Sequence, residues 1–87
     1  MTKDEALKAA DRQIPVVDKG GDLLYRRISA IYWRYSGERE RRSGKPPRFI
    51  EVELEPMNGA NSITVTAPER IRAATEEEIK NYRPIVI

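Results

Sequence analysis

The sequence predicts a mainly β domain with a minor helical part: an antiparallel meander of four or five strands, closed as an SH3-like barrel or curled as a rolled sheet. Two stretches alternate apolar and polar residues, and an Asn-Gly pair lies between them. A length of 87 residues suits one core. We therefore expect a single domain, 1–87, with an N-terminal helix over 1–13, the meander over 14–74, and a short helix and C-terminal strand over 75–87.

The N-terminal segment carries a helix start signal. Thr2 and Glu5 have the spacing of a capping box, and alanines and one leucine follow as far as about Arg12. Pro15 then favours extended chain from Ile14 to Val17. The two glycines between Asp18 and Asp22 predict a turn rather than calcium ligands.

Residues 24–35 permit two interpretations. Leu24, Ile28, Ile31 and Tyr35 follow each other at helical spacings of four, three and four. Composition favours a strand, because Tyr, Ile, Trp and Ser outnumber strong helix formers. As a strand, one side would carry Leu24, Ile28, Ala30 and Tyr32, and the other side Tyr25, Arg27, Ser29, Ile31, Trp33 and Tyr35.

The clearest strand is 48–55. Its Ile50, Val52 and Leu54 alternate with three glutamates, and the strand 62–66 alternates again after the Asn-Gly turn in 57–61. We expect these two strands to pair as a hairpin that buries the three apolar residues together with Ile63 and Val65.

The C-terminal part continues the meander. Pro68 interrupts the chain, and 69–73 is expected to form a short edge strand. Thr75 and Glu78 repeat the capping-box spacing, which predicts a helix through Tyr82 that buries Ile79 and Tyr82. Pro84 would end that helix, and 85–87 would add a last strand.

Three runs of these strands resemble a known group of proteins: residues 24–31, 52–54 and 61–69. They are similar to short uncharacterised proteins of Firmicutes that are often associated with mobile elements, over about residues 14–74. The resemblance implies a bacterial cytosolic β protein, carried by a phage or conjugative element, and it implies no activity for any residue.

The composition argues against enzyme chemistry. The chain has neither His nor Cys, so the usual general base near neutral pH and the soft metal ligands are missing, and no Gly-rich phosphate loop is present. Glu51, Glu53 and Glu55 alternate on one face, about 7 Å apart, which suits ion pairs with residues such as Arg27 better than a shared cation. We expect no enzyme, no cofactor and no metal.

The charge is unevenly distributed. The net charge of the chain is +2, whereas 26–48 holds eight basic and two acidic residues, or +6. Glycines and prolines mark 36–47 as a long, mobile hairpin loop. The candidate partner-binding residues are Arg27, Trp33, Arg34, Tyr35, Arg39, Arg41, Arg42, Lys45 and Arg48.

Three roles for this segment remain open. Arginine beside aromatic residues is typical of surfaces that bind nucleic acid, the alternative hypothesis. An acidic protein, the leading hypothesis, would attract the same arginines. In the third, Trp33 and the tyrosines belong to the core and the arginines to a solvated turn. With no apolar run near 18 residues and no leader pattern, we expect a cytoplasmic protein without membrane contact, as a monomer or weak dimer.

Overall fold

The computed structural model describes residues 1–19, 26–56 and 63–81, with only the backbone of Arg26. The predictions for the Asn-Gly turn, for Tyr82 and for the strand 85–87 lie outside these residues, as does most of the Gly-Gly turn. The described chain is mainly β with short helices, as predicted. Its elements are α1 (Lys3–Arg12), β1 (Val16–Asp18), β2 (Arg26–Arg34), α2 (Glu38–Arg41), β3 (Phe49–Pro56), β4 (Thr64–Thr66), a 3-10 turn (Pro68–Arg70), β5 (Ile71–Ala73) and α3 (Glu76–Asn81).

The strands form one antiparallel sheet in the order β4-β3-β2-β1-β5. In a flat sheet the two edge strands would stand about 19 Å apart, at about 4.8 Å per neighbour. Five Cα steps join Thr66 to Ile71, and extended chain covers only about 17 Å in that number. The sheet must therefore curl to bring its edges together. Because the described parts of β4 and β5 do not pair, it is a rolled sheet and not a closed barrel.

Helix α1 closes one side of the sheet. Thr2 accepts a hydrogen bond from the Glu5 amide at 3.2 Å, and the Glu5 carboxylate accepts one from the Thr2 amide at 2.9 Å, which confirms the predicted capping box. The helix ends at Gln13, whose φ of 55° is left-handed. Its buried Ala6 and Ala9 are small enough to let the helix approach the strands closely.

The core lies between α1 and the inner face of the sheet. Each strand from β1 to β3, together with β5, contributes buried aliphatic residues to one cluster. We call this the inner face and the opposite side the outer face. Burying these side chains supplies most of the driving force for folding, at about 25 cal/mol for each Å² of apolar surface. The cluster consists of Ala6, Ala9, Val16, Ile28, Ile50, Val52, Leu54 and Ile71.

A β-bulge at Ser29 changes the faces of β2. Ile28 pairs with Leu54 and Ala30 with Glu53, so that Ser29 is the extra residue. Ile31 and Trp33 then lie opposite Val52 and Ile50 on the inner face, together with Ile28. The strand prediction is confirmed over 26–34. The predicted faces are wrong, because they placed Ala30 and Tyr32 with Ile28, and Ile31 and Trp33 on the other side.

The bulge also explains the helical spacing in this stretch. Ile28 and Ile31 share a face although three residues apart, which in a regular strand would put them on opposite faces. One extra residue therefore gives a strand the apolar spacing that is typical of a helix.

Strand β4 pairs with β3 as predicted but presents the other face to the core. Thr64 pairs with Leu54 and Thr66 with Val52, so both threonines lie on the inner side and are half-buried. Val65 pairs with Glu53 on the outer face and is 48% exposed, and Ile63 is 65% exposed. The predicted burial of Ile63 and Val65 is wrong because alternation defines two faces, whereas the pairing register decides which one is inward.

Helix α3 is attached by a polar contact. The predicted capping box between Thr75 and Glu78 is present. Arg72 on β5 donates from both terminal nitrogens to the Glu78 carboxylate, at 2.7 and 3.0 Å. These hydrogen bonds are the largest cause that lowers the pKa of Glu78 to about 2, and the hydrogen bond from the Thr75 amide is the next. The predicted burial of Ile79 is wrong, since it is 43% exposed.

Candidate partner-binding surface

The connection between β2 and β3 ends in a helical turn. Helix α2 occupies four of the residues that the sequence predicts as a loop, and none of them is buried. Gly44 follows at a φ of 76°, a left-handed conformation that costs glycine little and strains most other residues. We call residues 36–48 the basic tip.

Glu40 organises the basic tip from within. Its carboxylate accepts hydrogen bonds from the Ser36 hydroxyl and amide, and Arg48 Nε donates to it at 3.0 Å. The hydrogen bond from the Ser36 hydroxyl is the largest cause that lowers the pKa of Glu40 below its ordinary value, and the hydrogen bond from Arg48 lowers it further. The segment is therefore a hydrogen-bonded structure, with its two ends joined through one carboxylate.

Three further hydrogen bonds fix the return to β3. The Ser43 hydroxyl donates to the Glu40 carbonyl at 2.6 Å and accepts from the Lys45 amide at 3.3 Å. The Tyr35 hydroxyl donates to the Lys45 carbonyl at 2.9 Å. Tyr35 is half-buried, and its hydroxyl is already bound within the hairpin.

The cations of the basic tip face solvent. The side chains of Arg39, Arg41 and Lys45 make no hydrogen bond or ion pair with the described residues. The Arg42 guanidinium lies 3.5 Å from the carboxylate of Glu38, which is also exposed. Arg48 uses only its Nε among the described contacts of its side chain, so the terminal nitrogens of its guanidinium remain available. Five cations against two glutamates give the basic tip a charge of +3.

A shallow cleft of about 400 Å³ opens on one side of the basic tip. Arg39, Lys45 and Arg48 bring three positive charges to its wall, whereas Arg41 and Arg42 do not line it. Glu40 contributes the single negative charge, which is already bound by Ser36 and Arg48. The cleft can therefore hold an anion.

Arg27 and Arg34, two of the predicted site residues, lie on the outer face among carboxylates. Arg27 lies opposite Glu55 in the register of β2 and β3. Arg34 Nε lies 3.4 Å from the carboxylate of Glu51. The Arg34 guanidinium is also 5.7 Å from the centre of the Tyr32 ring. Both arginines thus lie on the face that carries the glutamates of β3.

Glu53 is the most fully bonded carboxylate of this face. It accepts from the Ser29 hydroxyl at 2.8 Å and from the Tyr32 hydroxyl at 2.9 Å. The hydrogen bond to Glu53 raises the pKa of Tyr32 above its ordinary value. The bulge at Ser29 thus supplies a hydroxyl to the outer face.

Trp33 lies on the opposite, inner face. Its side chain is 48% exposed, and the ammonium of Lys3 on α1 lies 5.7 Å from its ring centre. The predicted site residues therefore do not form one surface. Trp33 is on the inner face, Arg27 and Arg34 are on the outer face, and the basic tip, with Tyr35 at its base, holds the rest.

Sequence reasoning missed Phe49 and the residues that shape the basic tip. Phe49 is 51% exposed, at the end of the outer face. Ser36 and Glu40 stand four residues apart, a spacing at which side chains can interact across one helical turn, and this was the available signal. Nothing in the pattern indicated that Arg48 would complete the arrangement.

The described residues contain neither a metal-binding cluster nor a membrane-spanning helix. Their His, Cys, Asp and Glu side chains include no group of three that could hold a metal ion. In residues 1–19, 26–56 and 63–81, no helix has the length and apolar character needed to cross a membrane.

In comparisons with known proteins, no family model, no curated protein and no solved structure matches the chain. The basic tip, with its exposed cations and its cleft, is therefore the strongest physical indication of a function.

Proposed function

We propose that this protein is a small non-catalytic binding module that uses its basic tip to bind an acidic region of another protein. The observation that carries the proposal is the arrangement of charge around Glu40. Its carboxylate is held by Ser36 and Arg48, whereas Arg39, Arg41 and Lys45 have no partner among the described residues. A cationic surface on a hydrogen-bonded support attracts acidic partners and limits the entropy lost on binding.

The arrangement of the outer face favours a protein partner over nucleic acid. Single-stranded nucleic acid is held by cations along the backbone and by aromatic rings for the bases. Here the exposed rings of Tyr32 and Phe49 lie on a face that also carries Glu51, Glu53 and Glu55. Phosphates that followed the strand from the basic tip would meet three carboxylates.

The aromatic residues have a smaller part in this proposal than the sequence predicts. The Tyr35 hydroxyl is bound to the Lys45 carbonyl, and Trp33 lies on the inner face beneath Lys3. We place the main contact at the basic tip. The resemblance to short proteins of mobile elements further suggests that the partner is a bacterial host protein and that this chain modulates it.

Affinity capture with matched variants tests the proposal. The wild type, a tip variant (Arg39→Ser, Arg41→Ser, Arg42→Ser) and a control variant (Lys8→Ser, Arg12→Ser, Lys80→Ser) would be immobilised and exposed to nuclease-treated bacterial lysate. Each variant removes three exposed cations, so the net charge is equal. We expect a protein that the wild type and the control enrich equally, and that the tip variant enriches about tenfold less.

Two results would count against the proposal. Equal enrichment of every captured protein by the tip variant would show that the basic tip is not the contact surface. Capture that disappears on nuclease treatment, together with tight binding of a single-stranded oligonucleotide, would instead support nucleic acid as the partner.

A further inference from the structure

The basic tip has two sides with different geometry. Arg39, Lys45 and Arg48 line the cleft, whereas Arg41 and Arg42 lie outside it. A flexible group of cations would attract any acidic surface to a similar extent. A cleft with a fixed arginine can instead select a ligand by shape.

Arg48 is the fixed arginine. Its Nε donates to Glu40, which is in turn held by two donors from Ser36, and its backbone carbonyl lies 3.4 Å from Lys3 Nζ. The N–H bond of Nε points to one edge of the planar guanidinium, and a parallel pair of N–H bonds, one from each terminal nitrogen, points outward at the end of the side chain. Those nitrogens form the fork that binds both oxygens of a carboxylate.

Resting on the proposed function, we propose that the cleft is a specific carboxylate-binding site, which receives the side chain of a glutamate or aspartate in an acidic segment of the partner. Arg48 would bind the carboxylate through its terminal nitrogens, and Arg39 and Lys45 would stabilise its charge from the side. The three cations and Glu40 leave the cleft with a charge of +2, enough to attract an anion without recruiting the rest of the basic tip.

The hydroxyls near the cleft set a limit on what it can bind. The Ser36 hydroxyl donates its hydrogen bond to the Glu40 carboxylate, and the Ser43 hydroxyl donates to the Glu40 backbone carbonyl. Among the side chains that line the cleft, the donors left available are therefore the charged nitrogens of three residues. A planar carboxylate suits the arginine fork with two parallel hydrogen bonds.

An NMR titration of the labelled full chain tests this site. The probe is an acetylated and amidated hexaglutamate peptide, with the hexaglutamine peptide as its neutral counterpart. We compare the wild type with a cleft variant (Arg39→Ser, Lys45→Ser) and a flank variant (Arg41→Ser, Arg42→Ser). Both variants remove two positive charges from exposed positions of the basic tip, so diffuse electrostatic attraction falls equally in the two.

Hexaglutamate is expected to shift the amides of Gly37, Ser43 and Lys45 in the wild type in a saturable manner, and hexaglutamine to shift none. The cleft variant should bind hexaglutamate about fivefold more weakly or worse, and the flank variant less than about twofold more weakly. Equal weakening in the two variants would overturn the cleft site. So would stronger shifts of the same amides by a single-stranded oligonucleotide, which would assign the cleft to phosphate.

The two proposals can fail separately. If the cleft variant retains the captured partner while the tip variant loses it, the basic tip binds by diffuse charge. In that case the carboxylate site is wrong and the proposed function stands. If all these variants bind that partner as the wild type does, both proposals are wrong.

Discussion

Arg48 Nε lies 3.0 Å from Glu40 Oε1, and this contact joins the residue that precedes β3 to the helical turn at the end of the hairpin. The two residues are eight positions apart in the sequence. No residue of α2 is buried, so the shape of the basic tip depends on polar interactions such as this one rather than on packing.

Replacing Glu40 should therefore loosen the basic tip and leave the core intact. In Glu40→Ala the carboxylate that holds Ser36 and Arg48 is lost, and we expect the amides of Arg41 and Arg42, which close the helical turn, to exchange about tenfold faster. The Val52 amide, in the core, should keep its exchange rate. Glu38→Ala is the control, because Glu38 is exposed; identical exchange in the two variants would show that Glu40 has no organising role.

The bulge at Ser29 gives a second prediction. Ser29 has no partner on β3, so deleting it leaves Ile28 opposite Leu54 and Ile31 opposite Val52 in a regular strand, both still on the inner face. We expect a loss of about 1 kcal/mol in the free energy of unfolding, from the hydrogen bonds between the Ser29 hydroxyl and Glu53. Deleting Tyr32, which pairs with Glu51, should cost about 3 kcal/mol or more, because either Ile31 or Trp33 must then leave the inner face. Thermal unfolding of both variants checks this, and equal losses in the two deletions would refute the bulge.

Two valines of the β3–β4 hairpin should lose different amounts of stability on the same substitution. Val52 is fully buried, whereas Val65 on the neighbouring strand is 48% exposed. Val52→Ala should cost about 1–3 kcal/mol of unfolding free energy through lost burial and a residual cavity. Val65→Ala should cost less than about 0.5 kcal/mol. Chemical denaturation measures both, and equal losses would contradict the register between β3 and β4.

The contact between Glu78 and Arg72 predicts a pH dependence. The folded pKa of Glu78, about 2, lies below its ordinary value of 4.5, so the ionised carboxylate stabilises the fold. Its contribution is complete above about pH 5 and is lost as the pH falls from there towards 2. The difference in Tm between wild type and Glu78→Gln should thus be constant at neutral pH and should disappear near pH 2. A difference that persists there would mean that the carboxylate is not the source of the stabilisation.

Much of the fold could be predicted because its signals are local. The alternation in β3 and the two capping boxes each depend on residues within a few positions, and each is present where the sequence places it. The same holds for the strand after Pro68. The rolled sheet follows from these elements and the short links between them.

The errors have one cause, since each depends on how one element meets another. Alternation in β4 does not say whether Val65 or its threonine neighbours face inward. The extra residue at Ser29 is invisible until β2 is paired with β3. A four-residue, fully charged helix such as α2 has no apolar periodicity to reveal it, and the flanking glycines favoured a loop.

The candidate site was only partly predictable for the same reason. The sequence identifies the cluster of cations between Arg39 and Arg48. It cannot show that Glu40 binds Arg48, while Arg39 and Lys45 find no partner among the described residues, because that choice depends on the geometry of the folded hairpin. It also cannot show that Trp33 and Arg34, neighbours in the chain, face opposite sides of the sheet.

The salt dependence of the dissociation constant for the captured partner tests the central claim most directly. It would be measured for the wild type, for the tip variant and for the control variant. The tip variant carries Arg39→Ser, Arg41→Ser and Arg42→Ser together, and the control carries Lys8→Ser, Arg12→Ser and Lys80→Ser together. The tip variant should change stability by less than about 1 kcal/mol. It should also bind about tenfold more weakly at moderate salt, mainly through faster dissociation.

The control should bind as the wild type does at every salt concentration. The affinity of the wild type for its protein partner should fall with rising salt less steeply than an affinity for a phosphate backbone would. If the target were a phosphate backbone, the loss of three contacts in the tip variant would reduce the slope of log affinity against log salt by about 2–3. A dissociation constant for the tip variant equal to that of the control would contradict the claim that the basic tip is the binding surface.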